Sequence, residues 1–172
     1  RVEGNLLAAV QEIERLRLTA VDGRVDVQEV TDGVADSARY DVFKLLDSAM
    51  AGDAVKSVRM ISGLRAEGVE IMFIIAMLVR ELRNLEKMKT GLESGLSRQS
   101  VFKQARVWKN RESLVSRCLD RLQVGGLRQM TSAIGQIDRM VKGLESGDPW
   151  RVLLDVLLHL SGKPAIRQSK PA

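Results

Sequence analysis

Apolar residues recur at three-to-four spacing along nearly the whole chain, the period of helices that bury one face. Over about 5–18 the stripe is Leu6, Leu7, Val10, Ile13 and Leu16, with Asn5 placed to cap the first turn and Asp22-Gly23 turning the chain out. A short second helix is predicted over about 26–35, with Val27, Val30 and Val34 on one face and a polar break at Asp36-Ser37 after it. From Asp41 the pattern is denser. Phe43, Leu46 and Met50 mark one short helix, and Val55, Val58, Ile61 and Leu64 mark the next, capped by Asp53 and stopped near Gly68.

A long helix is predicted over about 70–92, its stripe continuing through Leu78, Leu82, Leu85 and Met88 to Gly91 and Gly95. Two short helices, about 97–105 and 112–122, flank Arg106-Val107-Trp108-Lys109-Asn110-Arg111, and Gly125-Gly126 separates them from a helix over about 127–144 with Met130, Ile134, Ile137 and Val141 on its buried side. Asp148-Pro149 is a helix start, with Asp as N-cap and Pro at the first helical position. The helix it opens, about 150–160, is apolar almost all round and belongs inside a bundle. This pattern predicts an all-α protein, with a boundary near residues 36–41 and a bundle of about five to seven helices from Asp41 onward.

Composition agrees: of 172 residues 45% are hydrophobic and only 3% aromatic, and strand formers cluster nowhere in alternation. The longest apolar run, Ile71 to Val79, is nine residues, where a bilayer span needs about 20, so no membrane association is expected. One cysteine, Cys118, rules out an internal disulfide framework and suits a reducing, cytoplasmic setting. The chain opens on Arg1 and passes directly into a helical pattern, which suggests a piece of a longer protein.

The net charge of +5 is unevenly spread. Residues 1–37 carry eight acids against four arginines, whereas residues 98–128 carry Arg98, Lys103, Arg106, Lys109, Arg111, Arg117, Arg121 and Arg128 against Glu112 and Asp120. Only the second region suits a polyanion.

Catalytic chemistry has little to be built from. A single histidine, His159, and a single cysteine leave no zinc set and no Cys-His pair with an identified partner. His159 has Asp155 one turn before it, but no nucleophile accompanies them, and Cys118 reads as a small residue on a packed face. No phosphate-binding loop is present: Gly162-Lys163 runs into Pro164. No catalytic residue, metal ligand or cofactor is therefore predicted.

The sharper feature is Arg106-Val107-Trp108-Lys109-Asn110-Arg111. Its cations could neutralise phosphates while the indole stacks on an unpaired base. The alternative is an indole that plugs the space between two helices, with the cations merely exposed. For Trp150, which opens an apolar helix, core packing is the expectation.

Val2-Glu3-Gly4-Asn5-Leu6-Leu7-Ala8-Ala9, followed by Gln11-Glu12-Ile13-Glu14-Arg15-Leu16, resembles the lid-domain helix of bacterial DNA polymerase III delta subunits, which are clamp-loader subunits. The same order continues with Phe43, Arg80-Glu81-Leu82, the Arg106 to Arg111 motif, Leu127-Arg128-Gln129, Trp150 and Gly162-Lys163-Pro164. The resemblance implies an AAA+-like protein whose N-terminal module, absent here, contacts the sliding clamp. It assigns residues 1–37 to the end of a helical lid, 38–162 to a helical collar that assembles with gamma or tau and delta-prime subunits, and 163–172 to a tail. It implies no catalysis by this chain itself, and contact with primer-template DNA through Arg106, Trp108, Lys109 and Arg111. A second aromatic present in some relatives has no counterpart around residues 142–146. The residues taken without the resemblance also suit a stand-alone basic DNA-binding protein or a helical adaptor.

Overall fold

The computed structural model describes residues 27–163, with side chains from Ser37 onward, together with Val10, Ile13 and Glu14. Those three residues are helical, with Val10 and Ile13 56% and 58% exposed. The rest of the helix expected over 5–18, and the expected tail beyond Lys163, lie outside the described residues.

The described residues form α-helices and no strand: α1 (Val27–Ala51), α2 (Ala54–Ala66), α3 (Ile71–Glu93), α4 (Arg98–Gln104), a 3-10 turn at Lys109–Arg111, α5 (Glu112–Arg121), α6 (Val124–Val141) and α7 (Pro149–Leu160). The all-α class is as read from the pattern. The chain divides into two compact units, Arg1–Asp41 and Val42–Ala172. The first takes in the opening turns of α1, and the second holds the core described below.

Two expectations are corrected. The polar break at Asp36-Ser37 is not a break, because α1 runs through it as one helix of 25 residues. Asp and Ser disfavour a helix only mildly, and neither Gly nor Pro stands between Gly33 and Gly52 to stop it. Likewise Gly125-Gly126 does not separate helices but lies in the first turn of α6. The chain breaks just before, at Leu122 and Gln123, both extended with ψ of 150° and 152°. The N–H groups of a first helical turn lack intrahelical acceptors in any case, so glycine there weakens the helix little.

The core follows the periodic stripes. α3 is central: Ile74, Leu78, Leu82 and Leu85 are fully buried, against Leu45 and Met50 of α1, Leu119 of α5, and Leu127 and Ile137 of α6. α6 packs most extensively on α7 and α3, while α2 lies against α7. Each fully buried leucine contributes about 1.5–3 kcal/mol relative to exposure. Some stripe ends are wet: Val55 is 64% exposed, Val141 43% and Phe43 37%. Val42, Leu45, Leu46, Ala49 and Met50 form the buried side of α1 instead. Trp150 is half-buried against the core, with the Arg65 guanidinium 5.4 Å from its ring centre.

Caps are local and legible. Asp53 accepts from the Lys56 N–H at 2.9 Å, Ser97 from Ser100 at 3.2 Å, and Asp148 from Trp150 at 2.9 Å with Pro149 opening α7. Gly68, at φ +73°, ends α2 with the Val69 N–H reaching back to the Leu64 carbonyl at 2.9 Å.

One long-range interaction joins the ends of the second unit. Arg121, in the last turn of α5, donates from a single Nη2 to the Met50 carbonyl at 2.9 Å and the Leu160 carbonyl at 3.0 Å. Those carbonyls lie in the closing turns of α1 and α7, where intrahelical donors run out and the helix dipole favours a cation. Replacing Arg121 with Ala is expected to destabilise the fold by about 2–4 kcal/mol, since two part-buried acceptors lose a charged donor. The neighbouring exposed Arg117→Ala should change stability by no more than about 0.5 kcal/mol. Urea unfolding of both variants measures the difference.

Candidate nucleic-acid interface

The loop between α4 and α5 is built by a helix ending in an unusual way. Ala105 caps α4, and Arg106 follows at φ +52°, the only non-glycine residue with positive φ among the described residues. The Arg106 N–H bonds to the Lys103 carbonyl at 3.2 Å and the Val107 N–H to the Phe102 carbonyl at 2.9 Å. This is the left-handed helix stop that glycine usually makes, at a strain of roughly 1–2 kcal/mol for a residue with a Cβ. Val107, the residue after it, packs against the core and pins the loop.

Beyond that anchor the side chains part company. Trp108 is extended (φ −68°, ψ 140°), and its carbonyl accepts from the Arg111 N–H at 2.8 Å, closing the 3-10 turn. Its indole is 75% exposed. The structure thus leaves no room for the plug reading of this tryptophan. Arg106, Lys109 and Asn110 are exposed too. Arg111 points inward: its Nη2 lies 2.6 Å from Asp47 Oδ1 on α1 and 3.3 Å from Glu81 Oε1 on α3, with only 28% of its side chain exposed. The loop is therefore bolted to two core helices at its end while its middle faces solvent.

The other cations of the basic region divide in the same manner. Arg98 bonds to Ser116 and pairs with Asp120, Arg128 pairs with Glu86 at 2.8 Å, and Arg121 holds the helix ends. Lys103, Arg106, Lys109 and Arg117 are exposed and make no ion pair among the described residues. Sequence pattern could not separate the two sets. The partners of Arg121 and Arg111 lie 71 and 64 residues away, and no local signal encodes such contacts.

The two chemical candidates, Cys118 and His159, are both withdrawn from full exposure. Cys118 is fully buried, and its thiol is pushed up from 9.0 to about 11, chiefly by burial, with Arg121 opposing and Glu81 adding. It is neutral at physiological pH and a poor nucleophile. His159 is half-buried near the C-terminus of α7, close enough to α6 that a Cβ on Gly126 would sit 3.3 Å from its Nε2. Among the described residues no group of three His, Cys, Asp or Glu is arranged for a metal, and no helix is long and apolar enough to cross a membrane.

Residues 39–154 match the family model for the C-terminal domain of the DNA polymerase III delta subunit. The chain belongs to this family. The DNA polymerase III subunit delta of Escherichia coli K12 is 31% identical over 162 residues, which cover 94% of this chain and 47% of that protein. The Haemophilus influenzae subunit delta is 26% identical over 166 residues, covering 92% of this chain and 48% of its own length. The delta-family chain thus spans about half the length of the curated relatives it matches. Its fold is shared with a Bacillus subtilis DNA clamp loader delta protein at a TM-score of 0.56 and 21% identity, over 93% of this chain and 47% of that one.

The buried thiol of this delta-family chain has a pH consequence. A folded-state value raised from 9.0 to about 11 means the folded chain holds a proton that the unfolded chain has released in that window. The resulting stabilisation is complete below pH 9.0 and is lost as pH rises through about 11. The stability difference between wild type and Cys118→Ala should therefore shrink over that interval in urea titrations. In the native state Cys118 should resist iodoacetamide at neutral pH, and it should react once the chain is unfolded.

Proposed function

We propose that this chain is the assembly half of a clamp-loader delta subunit. In this reading its helical bundle, residues 38–162, is the collar that joins gamma or tau and delta-prime subunits in a ring around primer-template DNA. Residues 1–37 end the lid, and the sliding clamp is reached through a preceding AAA+-like module. The chain itself performs no chemistry, and it acts in the bacterial cytoplasm. Family membership over residues 39–154 supports the clamp-loader assignment.

The observation that carries the DNA contact is the Arg106 to Lys109 loop. A rigidly based turn presents an indole that is 75% exposed, flanked by two cations that lack protein partners among the described residues. Stacking on an unpaired base at the primer–template junction would bury that ring, and Arg106 and Lys109 lie on either side for phosphates. Arg111 acts differently, by fixing the loop through Asp47 and Glu81.

Two measurements test this reading. In the full-length subunit, Trp108→Ala is expected to weaken binding of the assembled loader to primed DNA by about 1–3 kcal/mol, roughly 5- to 150-fold in Kd, with the melting temperature unchanged. Unchanged affinity would remove the stacking role. Size-exclusion chromatography with gamma or tau and delta-prime subunits should give co-elution. A full-length subunit that binds primed DNA but stays apart from those subunits would favour a stand-alone DNA-binding protein and overturn the collar assignment.

A further inference from the structure

The central helix α3 carries a row of cations that the loop reading does not use. Arg80, Arg83 and Lys87 recur at a spacing of three and four residues, so they share one face of α3 over about 10 Å of its length. All three are exposed, and none makes an ion pair or side-chain hydrogen bond among the described residues. The acids beside them are already held elsewhere: Glu81 by Arg111 and Glu86 by Arg128, at 3.3 Å and 2.8 Å. Glu81 and Glu86 are each paired with an arginine from another element, which leaves this face of α3 with an excess of positive charge.

The row also meets the loop. Lys87 and Arg106 line one cleft of about 300 Å³ between α3 and α4, with Asn84 and Gln104 adding amide groups to its wall. The two helices approach closely at Gly91, where a Cβ would stand 2.9 Å from a Val101 methyl. A second hollow, lined by Arg83, Glu86, Lys87 and Thr90, continues along α3. The two hollows link Arg106, Lys87 and Arg83, with Arg80 one turn further along α3, and the one acid in their walls, Glu86, is paired with Arg128.

We propose that this row binds the phosphates of a single nucleic-acid strand whose base rests on Trp108, with the α3–α4 cleft taking the first phosphate past the stacked base. The proposal rests on the DNA contact argued above and extends it from a point contact to a track. The occupant is a single strand because the row is one helix face wide and lies beside a stacking ring. Nothing in the row reads base edges, so the contact is sequence-tolerant.

The test is fluorescence anisotropy of the full-length subunit with a labelled oligothymidine over a series of salt concentrations. Each phosphate contact on a single strand contributes about 0.7 to the slope of log K against log salt, so Arg80→Gln/Arg83→Gln/Lys87→Gln should lower that slope by about 2. Charge-preserving Arg80→Lys/Arg83→Lys should retain the wild-type slope. If the triple variant proves unfolded by circular dichroism, Arg83→Gln and Lys87→Gln are measured singly, each with an expected drop of about 0.7. An unchanged slope together with weakened binding by Trp108→Ala overturns the row and leaves the stacking role standing. A lowered slope with no effect of Trp108→Ala keeps the row and removes the stacking. A wild type that does not bind the oligonucleotide removes both.

Discussion

The second unit depends on two arginines at opposite ends of α5. Arg121 satisfies carbonyls at the closing turns of α1 and α7, and Arg111 pairs with Asp47 and Glu81 on α1 and α3. A helix end leaves several carbonyls without donors, and burying them unpaired costs about 1–3 kcal/mol each. A guanidinium suits this task because its forked donors stay charged and reach two acceptors at once. With both ends of α5 tied to the core helices, the segment entering it has little freedom. That is why a loop only a few residues long can hold a tryptophan away from the protein: Val107 pins one side of Trp108 and Arg111 the other.

Much of the architecture could be read from residue order. The helices α2, α4 and α7 start where Asp53, Ser97 and Asp148-Pro149 say they should, because a cap bonds within three residues of itself. The core side of α3 was equally clear, since Leu78, Leu82, Leu85 and Met88 repeat at helical spacing and all are buried. What could not be read was decided by weak local preferences or by distant partners. Asp36-Ser37 looks like a break, yet it lies inside α1, and Gly125-Gly126 looks like a hinge, yet it opens α6. In both places the local signal amounts to about 1 kcal/mol or less per residue, which packing overrides.

The candidate site shows the same limit more sharply. Arg106, Lys109 and Arg111 are chemically alike and stand within six positions, but two face solvent and one is paired with Asp47 and Glu81. The difference comes from the 3-10 turn, which swings position 111 toward α1 and α3, and from carboxylates that happen to await it 64 and 30 residues earlier. The resemblance to the delta family is borne out by family membership over residues 39–154. The division of roles within the motif needed coordinates.

Charge on the outer face of α3 follows from these same pairings rather than from the overall charge of +5. Adjacent residues on a helix point about 100° apart, so Glu81 does not face Arg80, nor Glu86 Lys87, and Glu86, one turn from Arg83, is paired with Arg128 instead. Binding Glu81 to Arg111 and Glu86 to Arg128 therefore does two things at once. It braces the loop and α6 against the core, and it occupies the two carboxylates closest in sequence to Arg80, Arg83 and Lys87. Removing either pair would free a carboxylate close to the row and weaken its field, so the bracing of the bundle and the charge of its surface share one group of contacts. A basic stripe produced in this way is fixed in position by the core, which distinguishes it from a run of cations on a loose segment. Its spacing along α3 is as rigid as the helix itself.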